Sequence, residues 1–184
     1  MCLKAMITVL VLYFNTFSQK LYDQMCLSLN LYQVNCSCGC TGKLIRYGHY
    51  SRSLKIYPEN LILSIQRLLC LECGRTHAVL PSLIVPYSQI PLRDHVDIIC
   101  TFENGTAPGF IMERNPFIDS TRVKYIICQY INHWRQRYHS SSLFPLDLTS
   151  LHEYIVISWF RYFSRQFMQI HSTPNVLFVP ANTS

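Results

Sequence analysis

Two short cysteine runs carry the most chemistry in this sequence: Cys36-Ser-Cys38-Gly39-Cys40 and, further along, Cys70-Leu-Glu-Cys73-Gly74. A structural zinc ion takes four ligands in a tetrahedron, and two cysteine knuckles at the ends of a hairpin deliver two thiolates each. Cys38 and Cys73 are each followed by glycine, which permits the backbone turn that brings amide groups round toward metal-bound sulfurs. This matching points to Cys36, Cys38, Cys70 and Cys73 as the ligands. Sets that use Cys40 stay open, because the first pair is a C-x-C where the second is a C-x-x-C. His49 and His77 are weaker substitutes, since a lone histidine in a sheet is more often a surface or turn residue. Four thiolates leave no open position for an activated water, so the expected cofactor is structural Zn2+.

The chain has nine cysteines. An odd number at knuckle spacing argues against a secreted disulfide scaffold. Cys100 and Cys128 fall in helical segments on or beside apolar faces, where free cysteine acts as a small hydrophobe. The sequence holds no G-x-S-x-G, no P-loop and no dinucleotide fingerprint.

The elements that must position these cysteines read as follows. From Cys36 to Pro86 the texture is that of strands, with runs over Leu44 to Tyr47, Tyr50 to Tyr57 and Leu61 to Leu69. Gly48-His49 and Pro58-Glu59-Asn60 are read as turns between them. After Pro91 the period becomes helical. A helix from about 92 to 103 ends at Asn104-Gly105, and a weaker one lies within 106 to 115. Asp119, Ser120 and Thr121 then offer N-caps to a helix whose apolar stripe includes Val123, Ile126, Ile127, Tyr130, Ile131, Trp134 and Tyr138. A capping box at Ser150-x-x-Glu153 opens a last, aromatic helix, and Thr173 to Ser184 reads as an extended tail.

Residues 1–33 read as an N-terminal helical segment. Within it Met6 to Phe14 imitates the apolar region of a signal peptide. No small-residue cleavage site follows, and nine largely apolar residues cannot span a bilayer, so a buried helix, no membrane partner and a cytoplasmic setting with reduced thiols are expected. The fold class is α+β: a small antiparallel zinc ribbon (34–88), then an all-α helix-turn-helix-like module (89–140), then a C-terminal helix and extended tail (141–184). A chain of 184 residues with 49% hydrophobic and 14% charged residues has room for such modules, and too few charges to be a disordered chain.

The formal charge is +6, much of it arginine, a residue suited to phosphate and guanine edges. In a helix-turn-helix reading the helix from about 120 is the recognition helix. Ser120, Thr121, Arg122 and Lys124 would then face base edges of double-stranded DNA, and Arg135 and Arg137 the phosphates. The competing reading is an amphipathic helix with a solvated basic face.

The strings Cys36-Ser-Cys38-Gly39, Gly48-His49-Tyr50-Ser51-Arg52, Cys70-Leu-Glu-Cys73-Gly74-Arg75-Thr76-His77-Ala78-Val79-Leu80-Pro81 and Val85-Pro86-Tyr87-Ser88 resemble an uncharacterised bacterial family of transposase-like zinc-ribbon proteins. That family is related to the zinc-binding N-terminal part of insertion-sequence transposases. The likeness continues through Phe102-Glu103-Asn104-Gly105, Ile118-Asp119, Tyr130, Trp134-Arg135-Gln136-Arg137 and Arg165 to Ile170, covering most of residues 34 to 171. It implies a zinc ribbon followed by a DNA-binding helical module, with Cys36, Cys38, Cys70 and Cys73 on the metal positions. It implies no activity.

A carboxylate-type transposase gathers three acidic residues around two metal ions in a ribonuclease-H-like domain. Residues 91 to 184 contain only Asp94, Asp97, Glu103, Glu113, Asp119, Asp147 and Glu153, in helical or loop contexts. The expectation is therefore a DNA-binding protein without a catalytic domain, with a second copy or a mobile-element protein as a further partner. The alternative is a zinc-ribbon protein-interaction module that uses the aromatic C-terminal helix.

Overall fold

The computed structural model describes residues 6–11, 18–133, 135–136 and 168–172. Five strands, β1 (Met6–Val11), β2 (Leu44–Leu54), β3 (Leu61–Cys70), β4 (Thr76–Pro81) and β5 (Met168–Ser172), form one sheet in the order β2-β3-β4-β1-β5. The helices are α1 (Gln19–Ser28), α2 (Leu92–Glu103), α3 (Gly109–Arg114) and α4 (Ser120–His133). The chain divides into two compact units, one of residues 1–50, 64–81 and 166–184, the other of residues 51–63 and 82–165.

In the first unit, β3 and β4 are antiparallel, while β1 runs parallel to both β4 and β5. The expectation of a buried helix over Met6 to Phe14 is corrected here: Met6–Val11 is a strand. Its sequence, Met-Ile-Thr-Val-Leu-Val, has β-branched residues at four of six positions, which suits extended backbone. A strand with neighbours on both edges reads as a continuous apolar run, so it shows no alternation that would separate it from a buried helix. Within 34–88 the sheet is antiparallel as expected, and the parallel neighbours β1 and β5 join it from outside that range.

Helix α1 is tied to this sheet by side chains that reach strand backbone. The buried Tyr22 hydroxyl donates to the Val79 carbonyl and accepts from the Gln66 amide, each at 2.8 Å. Gln19 accepts from the Ser64 amide at 2.8 Å and donates to the Ser64 carbonyl at 3.2 Å. Tyr22 and Met25 are fully buried, and the Ser18 side chain caps the helix by accepting from the Leu21 amide.

The turn expected at Gly48-His49 is also corrected, since β2 runs unbroken from Leu44 to Leu54. The Gln66 side chain donates to the Gly48 carbonyl at 3.0 Å, one of the contacts that hold this stretch extended. The break at Pro58-Glu59-Asn60 falls between β2 and β3 as expected.

In the second unit, α2 spans the range read from the sequence. Gly105 takes φ +67° and the Thr106 amide donates to the Thr101 carbonyl, so the helix ends in a left-handed stop. The helix is buried nearly all round, Leu92 and Asp94 through Thr101 included. Its buried acids are neutralised: Arg114 of α3 forms ion pairs with both Asp94 and Asp97, and Asn115 donates to Asp94 at 2.9 Å and to the Lys55 carbonyl at 2.8 Å. Asp119 caps α4 by accepting from the Arg122 amide at 2.8 Å. Val123, Ile126 and Tyr130 are the buried stripe of α4, and Tyr130 stacks edge-on against Phe102 with ring centroids 6.4 Å apart. Ile131 is exposed, so it leaves the stripe assigned to it from the sequence. The Ser150 helix, the tail from Thr173, Trp134 and Tyr138 lie outside the described residues.

Candidate metal centre and the basic helix

The chain ends at the roots of the β2–β3 hairpin decide where the thiols go. Cys70 is the last residue of β3, and Cys36 precedes β2 by a short loop closed by the bridge between Asn35 and Thr41. Both knuckles use the same hydrogen-bonding device. In the second, the Cys70 carbonyl accepts from the Gly74 amide and the Cys70 amide donates to the Arg75 carbonyl, each at 2.9 Å. In the first, the Cys36 carbonyl accepts from Gly39 and the Cys36 amide donates to the Cys40 carbonyl, again at 2.9 Å. The first loop is thus one residue shorter, which accounts for its C-x-C spacing. Cys38 corresponds to Cys73, and Gly39 and Gly74 both take positive φ, +94° and +68°. In this correspondence Cys40 takes the position of Arg75, which is no ligand.

The sulfurs meet. The Sγ of Cys36 and Cys73 are 3.5 Å apart, those of Cys40 and Cys70 3.2 Å, those of Cys38 and Cys40 3.3 Å and those of Cys38 and Cys70 3.9 Å. Zn–S bonds of about 2.3 Å in a tetrahedron place sulfurs about 3.8 Å apart, so these separations suit ligands of one ion. The Sγ atoms of Cys36, Cys38, Cys40 and Cys70 all lie within 4.8 Å of one another and could hold a metal ion together. Mutual closeness thus selects Cys40 where knuckle correspondence selects Cys73, although Cys73 reaches the cluster through Cys36. Cys36 and Cys70 are buried, Cys40 is half-buried, and Cys38 and Cys73 are exposed.

Protons are unequally shared among these thiols. Burial pushes Cys36 above the ordinary thiol range. Cys38 is drawn down to about 6 by the Cys40 backbone amide and then by the Cys40 thiol. Cys40 is pushed up to about 12, first by its hydrogen bond with the Cys70 thiol. Burial raises Cys70, but hydrogen bonds with the Cys73 backbone amide and the Cys40 thiol carry it below its usual value. Cys38 and Cys70 are thereby biased toward thiolate, the form that ligates metal.

His49 is exposed and His77 fully buried, and neither belongs to the group of close ligand atoms. Cys100 is buried as expected, and burial pushes its thiol up to about 12. Cys128 is exposed, which corrects its placement beside an apolar face.

The residues expected to read DNA are less free than their types suggest. Ser120, Thr121 and Lys124 are exposed at the start of α4. The Arg122 guanidinium, however, donates to Asp119 at 2.8 Å and to the Phe117 carbonyl at 3.1 Å. Arg135 donates to both oxygens of Glu103, at 2.7 and 3.2 Å, and lies 5.9 Å from the Phe102 ring centroid. Arg137 lies outside the described residues. Elsewhere Arg46 donates to the Cys26 and Leu27 carbonyls, and Arg52 to those of Val85 and Ser88. Much of the arginine excess is thus used to satisfy backbone carbonyls and internal acids.

Two features go beyond the ligand set read first from the sequence. Cys40 was an open alternative and becomes a full member of the thiol cluster; three cysteines at every second position were the signal for it. A cleft of about 400 Å³ lined by Gln19, Asp23, Cys26, Leu27, Arg46, His49, Ser64 and Gln66 had no sequence signal, because α1 and the strands that form it lie far apart in the chain.

Residues 36–105 match a family model described as a domain of unknown function (DUF6431). The match takes in both knuckles, β2 to β4 and α2, and stops before α3 and α4. No curated protein and no solved structure matches the chain. Among the described residues no helix is long and apolar enough to cross a membrane.

Proposed function

We propose that this chain is a zinc-binding, DNA-binding protein related to the N-terminal part of insertion-sequence transposases, with no catalytic domain of its own. A structural zinc ion closes the thiol cluster, and α2, α3 and α4 form a helix-turn-helix-like module that meets double-stranded DNA through the start of α4. The observation that carries this reading is the convergence of knuckle thiols within the reach of one tetrahedral ion. Their chemistry fits as well, since a group made of thiols alone favours zinc over hard cations, which take oxygen ligands.

For DNA the support is the exposed Ser120, Thr121 and Lys124, together with the resemblance already described. Arg122 and Arg135 would have to leave Asp119 and Glu103 to reach DNA, so the footprint is small. Binding rather than catalysis is supported by the acids themselves. Asp94 and Asp97 are paired with Arg114, Glu103 with Arg135 and Asp119 with Arg122. Among the described residues no cluster of acids could hold a metal ion.

A second reading rests on Tyr125 and Ile131, which are 64% and 45% exposed on α4 and offer an apolar contact to a protein partner. Mobility shifts of random duplex DNA over a salt series separate the two. Three cations on the DNA, Lys124 with Arg122 and Arg135 once these leave their acids, give a slope of roughly −3 in log affinity against log salt. Failure to shift duplex DNA at low salt would remove the DNA reading and leave the apolar one.

A further inference from the structure

Five thiols gather where one zinc ion takes four. Cys36, Cys38 and Cys70 belong to both candidate tetrahedra. The set completed by Cys40 has all its sulfurs within 4.8 Å of one another. The set completed by Cys73 is the one that the matched glycine turns of the two knuckles select, and Cys73 lies 3.5 Å from Cys36. Cys40, at 3.2 Å from Cys70 and 3.3 Å from Cys38, is no more distant from the shared sulfurs.

The geometry points to an exchangeable fourth corner: Cys40 and Cys73 compete for one ligand position while Cys36, Cys38 and Cys70 hold the other three. The inference rests on the zinc reading above. Cys36 and Cys70 are buried and anchored through their backbone amides, and Cys38, though exposed, is fixed by its 3.9 Å separation from Cys70 and its place in both sets. The competitors are more open, Cys73 exposed and Cys40 half-buried, so a proton can pass between either one and water. In the exchange one metal–sulfur bond breaks and another forms. The arriving thiol gives up its proton and the departing thiolate takes one up, so the charge of the site is unchanged. The spare thiol would let the site open one corner to an outside thiolate ligand without losing its metal.

The test uses the full chain loaded with Co2+, whose sulfur-to-metal charge-transfer band reports the number of thiolates, and competition with a chelator for affinity. Cys40→Ser and Cys73→Ser should each keep one metal per chain and a four-thiolate band, with affinity within about tenfold of the parent. The double variant should lose at least about a hundredfold, as should Cys38→Ser, which has no substitute. Loss of metal in Cys73→Ser equal to that in the double variant would overturn the exchange. Should the variants not fold, alkylation of the loaded parent chain decides: label divided between Cys40 and Cys73 is expected, and label on only one of them contradicts it. A parent chain that takes up no metal removes the zinc reading and this inference together, whereas a loaded parent with a metal-free Cys73→Ser removes this inference alone.

Discussion

At the roots of β2 and β3 the thiols face one another, sulfur to sulfur, across 3.2 to 3.9 Å. In the three-helix unit the charged side chains are instead paired off within the protein: Arg114 with Asp94 and Asp97, Arg122 with Asp119, Arg135 with Glu103. The difference lies in what each group needs. Carboxylates and guanidinium groups complete each other, so a unit that buries them can be finished by folding alone. Converging thiols have no such mutual completion and are satisfied by a soft cation. A cluster of cysteines is therefore a more direct statement about a ligand than an excess of arginines is about DNA.

The comparison breaks most visibly on metal removal. A chelator should abolish hydrogen-exchange protection in residues 36–81, where structural zinc supplies about 10 kcal/mol of folding free energy, and leave α2 and α4 protected. Equal loss in both units would show that the metal supports the whole chain.

Arg114→Leu should act in the opposite sense. It leaves two buried carboxylates without their cation and costs about 3 kcal/mol or more in urea unfolding, while metal content stays unchanged. A loss below about 0.5 kcal/mol would mean that Asn115 and water suffice.

Acid should weaken the three-helix unit through His95. Burial lowers its pKa to about 3, against about 6.5 in the unfolded chain, and its Nε2 is 2.8 Å from the Ser88 hydroxyl. The unfolded state therefore binds the proton first. Stability is complete above pH 6.5 and falls as the pH drops toward 3, by about 2 kcal/mol at pH 5. His95→Gln should remove that part of the slope, and a slope that persists would assign it to other groups.

The smallest effect concerns DNA. Lys124→Ala should cost roughly 1 to 3 kcal/mol on a preferred duplex site and little on random DNA, and Arg135→Ala should lower the salt slope by less than about 1 while Glu103 holds the guanidinium in the parent chain. A full loss of about 1 in slope would show that the Arg135–Glu103 pair opens on DNA.

The sequence made the parts governed by local rules legible. The α2 stop at Asn104-Gly105, the Asp119 cap of α4 and the thiol clustering all follow from residue type at fixed spacing. Parts decided by distant pairing were hidden. Met6–Val11 has no alternation because strands flank it on both sides, and its neighbours β4 and β5 are remote in the chain. Residues 168–172 gave no strand signal for the same reason. The basic face of α4 was visible, but the Glu103 that occupies Arg135 was not, since it lies on another helix. The choice between Cys40 and Cys73 was open in the sequence because spacing constrains a loop and does not fix which sulfur turns inward.

The zinc content of the full chain, purified without chelator and measured by elemental analysis beside a fold check by circular dichroism, tests the central claim most directly. One zinc per chain is the result expected of the thiol cluster; less than about 0.3 zinc per chain in folded protein would contradict it.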